Sequence, residues 1–208
     1  MNFRKLPEKE WSGRMDNHLN PQDPENMLGY IDALADDLEK AWALGSELPL
    51  PDFAGIERVV IAGMGGSAIG GDLLSAYLAP TCPVPIVAHR DYGLPAWAAG
   101  GETLVVCSSH SGNTEETLSS FEAAVERGCQ VLALCTGGRL RARAEDKGLP
   151  VWVFQHDGQP RTAIPYSFGM LLALLCRLGL AHAAEDEIRD AEAVLREGRA
   201  RLSAQSEL

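Results

Sequence analysis

Hydroxyl side chains are concentrated between positions 108 and 117, where the sequence reads SSHSGNTEET. Ser109, Ser111 and Thr114 can each donate a hydrogen bond to a phosphate oxygen, and Gly112 allows a sharp turn that gathers backbone N–H groups. A helix predicted to begin here adds partial positive charge at its N-terminus. This hydroxyl loop therefore predicts a phosphate site that uses no lysine. The alternative is a helix-capping loop, but a cap uses fewer hydroxyls than this loop contains.

A second candidate site is the glycine loop, GMGGSAIGG at 63–71, which directly follows an apolar run. Glycine permits close approach of the backbone to a ligand and positive φ angles, and Ser67 is predicted to cap the next helix while offering a hydroxyl. Two other interpretations stay open: a plain strand-to-helix turn, and the dinucleotide motif of an NAD(P)-dependent oxidoreductase. The dinucleotide interpretation uses Gly63, Gly65 and Ala68, with Asp91 or Arg90 as the contact to the ribose or to the 2′-phosphate.

Few titratable side chains are placed to move a proton of a bound ligand. His110, inside the hydroxyl loop, is the best candidate for a base by position and intrinsic pKa, and His89 and Glu116 are weaker candidates. His156 and Asp157 follow the last of the apolar runs and are expected at the same edge of the fold. The pair is interpreted either as a substrate contact or as part of a polar loop, and the polar loop is favoured.

Five apolar runs must position these loops. They are rich in Val, Ile, Leu and Cys, and they occupy residues 59–63, 84–88, 103–107, 131–135 and 151–154. Nearly continuous apolar character is typical of strands covered on both faces, and the segments between the runs can supply crossover helices. The pattern predicts an α/β fold, a three-layer αβα sandwich around a five-stranded, mostly parallel, doubly wound sheet. Ligands bind such sheets at the carboxyl edge, where both loops begin.

Helices are predicted on either side of the sheet-forming region. The first has Asp23 as N-cap, followed by Pro24 and Glu25, and it carries an acidic outer face. Its predicted buried stripe is Met27, Leu28, Ile31, Leu34, Ala35, Leu38 and Trp42. Residues 166–180 predict a core helix, and a charged connector helix or oligomer arm follows. The predicted apolar side of that last helix is Ile188, Ala191, Val194, Leu195 and Leu202.

Composition excludes several classes of function. The formal net charge is −11 at pH 7 and no run of Lys and Arg occurs, so nucleic acid is not an expected partner. The segment 166–180 is too short and too charged for a membrane helix, and the N-terminus lacks the apolar region of a signal peptide, so we expect a cytoplasmic protein. The five cysteines have no CxxC spacing, and His182 with Glu185 does not make a metal site. Reduced thiols and no metal are expected.

The glycine loop and the hydroxyl loop together resemble the sugar isomerase (SIS) domain, and specifically the bifunctional phosphoglucose/phosphomannose isomerase family. The resemblance runs from about residue 58 to 180 and includes QPRTAIP at 159–165. It implies a flavodoxin-like SIS fold over 23–181, with 1–22 as an N-terminal extension and 182–208 as a connector helix. By that likeness the substrate contacts are Gly65, Gly66 and Ser67, the phosphate contacts are Ser109, Ser111 and Thr114, and Arg161 is an electrostatic stabiliser near the reacting carbons. The family commonly has an aromatic residue at the position of His110, whose role stays unassigned.

The resemblance implies that glucose 6-phosphate or mannose 6-phosphate is interconverted with fructose 6-phosphate through an enediol, with no cofactor. It also implies a homodimer. In the family a second SIS domain supplies a glutamate base and a lysine, so this chain is expected to lack part of the catalytic machinery. Two alternatives stay open: a sugar-phosphate-sensing SIS module without catalysis, and the NAD(P)-dependent oxidoreductase.

Overall fold

The computed structural model of the chain describes residues 23–182 and 185–205. The predicted extension at 1–22 lies outside the described residues. Five parallel strands form one sheet in the order β2-β1-β3-β4-β5. The strands are β1 Arg58–Ala62, β2 Ile86–His89, β3 Thr103–Ser109, β4 Gln130–Cys135 and β5 Val151–Val153. The predicted five-stranded, doubly wound α/β sheet is confirmed, and every pairing among these strands is parallel.

Seven helices and one short 3₁₀ helix surround the sheet within the described residues. They are α1 Met27–Asp32, α2 Leu34–Glu47, α3 Gly65–Leu78, α4 Glu115–Glu126, α5 Gly138–Asp146, α6 Ile164–Arg177 and α7 Glu185–Gln205, with the 3₁₀ helix at Pro160–Thr162. Helices α2, α3 and α6 cover one face of the sheet, and α4 and α5 cover the other. The division at 23–181 and 182–208 stays a prediction.

The central strand β3 explains why the strand sequences are almost entirely apolar. All seven of its residues are buried. Successive residues of a strand point to opposite faces, so Leu104 and Val106 enter the core beneath α6, whereas Val105 and Cys107 enter the core beneath α4. Because helices cover both faces, neither set of positions tolerates water, and the alternation typical of a half-exposed strand is absent.

The N-terminal helix differs from its prediction. It is divided into α1 and α2 at Ala33, and its first turn begins at Met27 rather than at Pro24. Asp23 still satisfies the helix start, because its carboxylate accepts the N–H groups of Met27 at 2.7 Å and of Leu28 at 2.8 Å. The predicted buried stripe is wrong in α1, where Leu28 is 60% exposed and Ile31 47% exposed, and correct in α2, where Leu38 is buried.

The last helix packs on α2 through charges, and only part of its predicted apolar side is buried. Ile188 is buried, but Val194 and Leu202 are exposed. The guanidinium of Arg196 contacts the carboxylates of Asp36 at 2.9 Å and Glu39 at 3.2 Å. These acids form the predicted outer face of the first helix, so that face is an interface with α7. No helix in the described ranges is both long and apolar enough to cross a membrane.

Candidate functional site

The glycine loop and the hydroxyl loop lie side by side because β1 and β3 are neighbours in register. Ala62 pairs with Cys107 at the carboxyl ends of the two strands. A Cβ atom at Gly63 would lie 2.7 Å from the backbone oxygen of Ser108, so only glycine allows the loops to approach this closely. The backbone N–H of His110 donates to Ser67 Oγ at 3.2 Å. One hydrogen bond therefore joins the two loops that the sequence singles out.

Ser67 does not cap the helix that follows the glycine loop, and this part of the prediction is wrong. The N-cap position of α3 is occupied by Met64, and Gly65 begins the helix with a left-handed φ of 52°. Ser67 therefore lies within the first turn, where its side chain is buried and accepts the N–H of His110. Its hydroxyl holds the hydroxyl loop against α3, which begins directly after the carboxyl end of β1.

Gly66 explains how Arg161 comes to the site. A Cβ atom at Gly66 would lie 2.3 Å from the backbone oxygen of Pro160 and 3.4 Å from the Cα of Arg161. The 3₁₀ helix therefore packs directly on the N-terminus of α3, with no space for a side chain between them. Arg161 is exposed at this edge. The structure thus brings together Gly65, Gly66, Ser67 and Arg161, which are far apart in the sequence.

Inside the hydroxyl loop, Ser109 serves mainly to hold the loop in shape. Its side chain is only 2% exposed. Its Oγ lies 2.9 Å from Thr114 Oγ1 and accepts the N–H of Gly112 at 3.1 Å. Most of its hydrogen-bonding capacity is therefore used within the loop. A ligand would meet Ser109 through the partners that it positions.

Ser111 and Thr114 are the more accessible hydroxyls of the predicted phosphate site. Ser111 is exposed and its Oγ accepts the N–H of Asn113 at 3.2 Å, which leaves its own proton available for donation. Thr114 is half-buried at the N-cap position of α4, yet its side chain makes no capping hydrogen bond. The Thr114 hydroxyl therefore pairs with Ser109 and not with the helix start, whereas Ser109 and Ser111 accept N–H groups of the loop as the capping alternative expects.

A third loop, after β4, packs against the hydroxyl loop, a contact that the sequence did not single out. Thr136 donates through its backbone N–H at 3.0 Å and its hydroxyl at 2.7 Å to the backbone oxygen of His110. A Cβ atom at Gly112, whose φ is 66°, would lie 1.8 Å from the backbone oxygen of Gly137. The available signal is the pair Gly137-Gly138, which follows an apolar run after the single residue Thr136, at the edge where ligands bind.

Two histidines meet beside the hydroxyl loop. His110 Nε2 lies 3.0 Å from His156 Nδ1, and His156 Nε2 lies 3.4 Å from the hydroxyl of Thr162 in the 3₁₀ helix. Burial lowers the pKa of His110 below its ordinary value, the proximity of His156 lowers it further, and a main-chain hydrogen bond to His156 acts in the opposite direction. Burial likewise lowers the pKa of His156, against the attraction of Asp37 and Asp157. Both rings therefore favour the neutral form.

The other side chains considered as a base, a cofactor contact or a metal ligand make structural contacts or form no metal site. His89 Nε2 lies 3.1 Å from the backbone oxygen of Gly93. Arg90, which the dinucleotide interpretation offers with Asp91 as a ribose or 2′-phosphate contact, forms an ion pair with Asp72. Across the residues that the structure describes, no group of three or more His, Cys, Asp or Glu side chains is arranged to hold a metal ion, and His182 and Glu185 form no such group.

Curated relatives align with most of this chain. It is 42% identical over 176 residues, 84% of its length, to a protein named bifunctional phosphoglucose/phosphomannose isomerase from Caldicellulosiruptor bescii, of which the alignment covers 52%. It is 37% identical over 147 residues, 70% of its length, to a protein of the same name from Aquifex aeolicus, of which the alignment covers 44%. The chain thus spans about half the length of the curated relatives it matches. No family model matches the chain.

Solved structures show the same fold at low sequence identity. Tagatose-6-phosphate ketose/aldose isomerase from Escherichia coli is similar with a TM-score of 0.60 and 19% identity, over 86% of this chain and 53% of that protein. At this identity the likeness shows the fold alone. The sheet order, the two glycine- and hydroxyl-rich loops at its carboxyl edge, and the curated relatives agree. The aligned part of this chain therefore belongs to the family of the bifunctional phosphoglucose/phosphomannose isomerases.

Proposed function

We propose that this chain binds a sugar 6-phosphate and forms the phosphate-binding part of an aldose–ketose isomerase. The reaction is the interconversion of glucose 6-phosphate or mannose 6-phosphate with fructose 6-phosphate through an enediol. The observation that carries the proposal is the junction of the two loops, where the N–H of His110 donates to Ser67 Oγ and the helix starts of α3 and α4 lie at one edge.

The phosphate is assigned to the hydroxyl loop. Ser111 and Thr114 donate through their hydroxyls, and Ser109 holds Thr114 in place at 2.9 Å. The start of α4 contributes backbone N–H groups and partial positive charge. Such a site needs no lysine, which agrees with the strongly negative net charge of the chain. Glu115 is exposed in the first turn and has to remain on the solvent side of a bound phosphate.

The sugar is assigned to the exposed edge beside Gly65 and Arg161. Gly65 is exposed and leaves its backbone uncovered, and Arg161 stands at the same edge because the 3₁₀ helix packs on the buried Gly66. A guanidinium there stabilises negative charge that develops on the substrate oxygens as the enediol forms. This role for Arg161 comes from the resemblance, and its position beside Gly66 supports it.

Turnover requires a base in addition to the sugar-phosphate site. The relatives carry the name of the isomerase, but this chain spans only about half of their length. We therefore expect sugar-phosphate binding by this chain, and turnover only where a base for C1 and C2 is also present. A cytoplasmic location and a homodimer complete the proposal, and light scattering of the purified protein tests the homodimer.

Isothermal titration calorimetry of the purified chain tests the binding proposal. The ligands are fructose 6-phosphate, glucose 6-phosphate, unphosphorylated fructose and NAD. We expect binding of the two sugar phosphates, and no measurable binding of fructose or NAD. Replacing Ser111 by Ala and Thr114 by Val should weaken the binding free energy of the sugar phosphates by about 1.5–3 kcal/mol for each hydroxyl that donates to the phosphate. Thr81→Val, at the opposite end of α3, is the matched control and should leave the affinity unchanged.

Two outcomes contradict the proposal. Unchanged affinity for sugar phosphate in the Ser111 and Thr114 variants would remove the hydroxyl loop from the phosphate site. Binding of NAD in preference to sugar phosphates would favour the oxidoreductase interpretation instead. A coupled assay that detects glucose 6-phosphate formed from fructose 6-phosphate then separates an active isomerase from a module that only binds.

A further inference from the structure

A pair of hydrogen-bonded histidines connects the hydroxyl loop to the 3₁₀ helix that carries Arg161. His110 belongs to the hydroxyl loop, and its Nε2 lies 3.0 Å from Nδ1 of His156, which follows β5. His156 in turn reaches the Thr162 hydroxyl, next to Arg161 in the chain. The pair thus spans the distance between the part of the site assigned to the phosphate and the part assigned to the sugar.

The direction of the hydrogen bonds fixes which nitrogen of each ring carries the proton. The Thr162 hydroxyl donates to the backbone oxygen of Gln159 at 2.8 Å, so its oxygen is left to accept from His156 Nε2–H. His156 Nδ1 is then unprotonated and accepts from His110 Nε2–H. His110 therefore presents its unprotonated, basic nitrogen as Nδ1. This assignment follows from the network and holds while both rings are neutral.

Aromatic rings hold the two imidazoles in place. The rings of Phe154 and Tyr166 are stacked, with centroids 5.0 Å apart. Phe154 meets the ring of His110 edge-on with a centroid distance of 6.1 Å, and Tyr166 meets the ring of His156 edge-on with a centroid distance of 5.8 Å. Tyr30 of α1 packs on His156 at 5.3 Å. These contacts restrict the rotamers of both histidines, so the pair is organised before a ligand arrives.

The charged groups around the pair come from several elements. Asp37 of α2 accepts a hydrogen bond from the Tyr166 hydroxyl at 3.3 Å and attracts a proton towards His156, as does Asp157 in the adjoining loop. Arg161 of the 3₁₀ helix is exposed nearby in the chain. Burial outweighs the carboxylates, so the pKa values of both histidines are lowered and neutral imidazole is available near neutral pH.

We propose that His110 is an acid–base residue that opens the ring of the bound sugar phosphate, and that His156 is the positioning residue that fixes its tautomer. This inference rests on the proposed function, because it requires a sugar 6-phosphate in the site. His110 Nδ1 removes the proton from the O1 hydroxyl, the O1 electrons form the C1=O1 double bond, and the C1–O5 bond breaks. O5 then takes the proton from His110, so the net change is transfer of one proton from O1 to O5.

Anomer exchange isolates this step from the later isomerisation. Opening and reclosing the ring interconverts the α and β anomers of glucose 6-phosphate without any base for C2. Two-dimensional exchange NMR of glucose 6-phosphate with the purified chain measures the rate directly. The variants are His110→Phe, which keeps an aromatic ring against Phe154, together with His156→Phe and His156→Asn. His182→Gln, at an exposed histidine outside the site, is the matched control.

The expected result is an acceleration of anomer exchange that His110→Phe reduces by about 10²-fold, the usual size of a general acid–base contribution. His156→Asn retains an acceptor where Nδ1 stood, so it should keep more of the acceleration than His156→Phe. His182→Gln should match the unaltered chain. In the unaltered chain the acceleration should also fall at pH values below the lowered pKa of His110, because the basic nitrogen is then protonated.

Each result bears on the proposal separately from ligand binding. Calorimetry with glucose 6-phosphate on the same samples shows whether a variant still folds and binds. Binding without any acceleration, or equal acceleration in His110→Phe, overturns the assignment of His110 while leaving the binding proposal intact. Equal rates in His156→Asn and His156→Phe overturn the positioning role. Absence of binding in the unaltered chain overturns the proposed function itself.

Discussion

Gly66 is the position where one added carbon atom should displace Arg161 from the site. In Gly66→Ala the new Cβ would lie 2.3 Å from the backbone oxygen of Pro160 and 3.0 Å from its carbonyl carbon. The obstacle is backbone, so no side-chain rotation relieves the overlap. The 3₁₀ helix Pro160–Thr162 has to move away from α3, and Arg161 moves with it.

The size of the displacement follows from ordinary contact distances. Bringing the Cβ–oxygen distance from 2.3 Å to a normal contact of about 3.4 Å requires a shift of roughly 1 Å. A misplacement of about 1 Å in a catalytic group can cost on the order of 10²-fold in rate. For binding we expect loss of the Arg161 contact, about 1.5–3 kcal/mol for a hydrogen bond to a charged group, or about ten- to a hundredfold in Kd.

Calorimetry with fructose 6-phosphate on four proteins provides the assay. They are the unaltered chain, Gly66→Ala, Arg161→Ala and the double variant. Because both changes act on the same contact, the double variant should bind about as weakly as Arg161→Ala alone. Gly101→Ala, where an added Cβ meets no atom within 4 Å, serves as the control. Unchanged affinity in Gly66→Ala, or fully additive losses in the double variant, would refute the link between Gly66 and Arg161.

Three further predictions concern stability. Trp152 is 1% exposed and donates to the backbone oxygen of Pro49 at 3.0 Å, so Trp152→Ala should lower the free energy of unfolding in urea by about 3–5 kcal/mol. Arg196→Ala should lower the free energy of unfolding only slightly, because the ion pairs of Arg196 with α2 are exposed to solvent. The difference from the unaltered chain should disappear at high salt. Because the pKa values of His110 and His156 are lowered in the folded chain, the unfolded chain binds more protons than the folded chain as the pH falls through 6.5. The free energy of unfolding should therefore decrease as the pH falls from about 7 through the lowered pKa values, and the decrease should be smaller in His110→Phe, as chemical denaturation at several pH values can show.

The strands and the two ligand loops were predictable from sequence because their signals are local. Apolar runs covered on both faces identify parallel strands, and glycines or hydroxyls directly after such runs mark the carboxyl edge. The same reasoning failed for α1 and α7. Amphipathic spacing there predicted buried apolar stripes, but Leu28 and Val194 are exposed and α7 packs through Arg196 instead. Spacing shows which residues share a helix face, whereas the partner of that face is decided by packing.

By itself the sequence determined the parallel α/β sheet, the order of its elements along the chain, and the segments that carry glycine and hydroxyl groups. Only the tertiary structure decided that Ser67 holds the hydroxyl loop, that Gly66 brings Arg161 to the site, and that His110 meets His156. Each of these contacts joins residues more than forty positions apart in the chain. Such contacts exist because neighbouring parallel strands end at a common edge, and strand order in the sheet is a property of the folded chain.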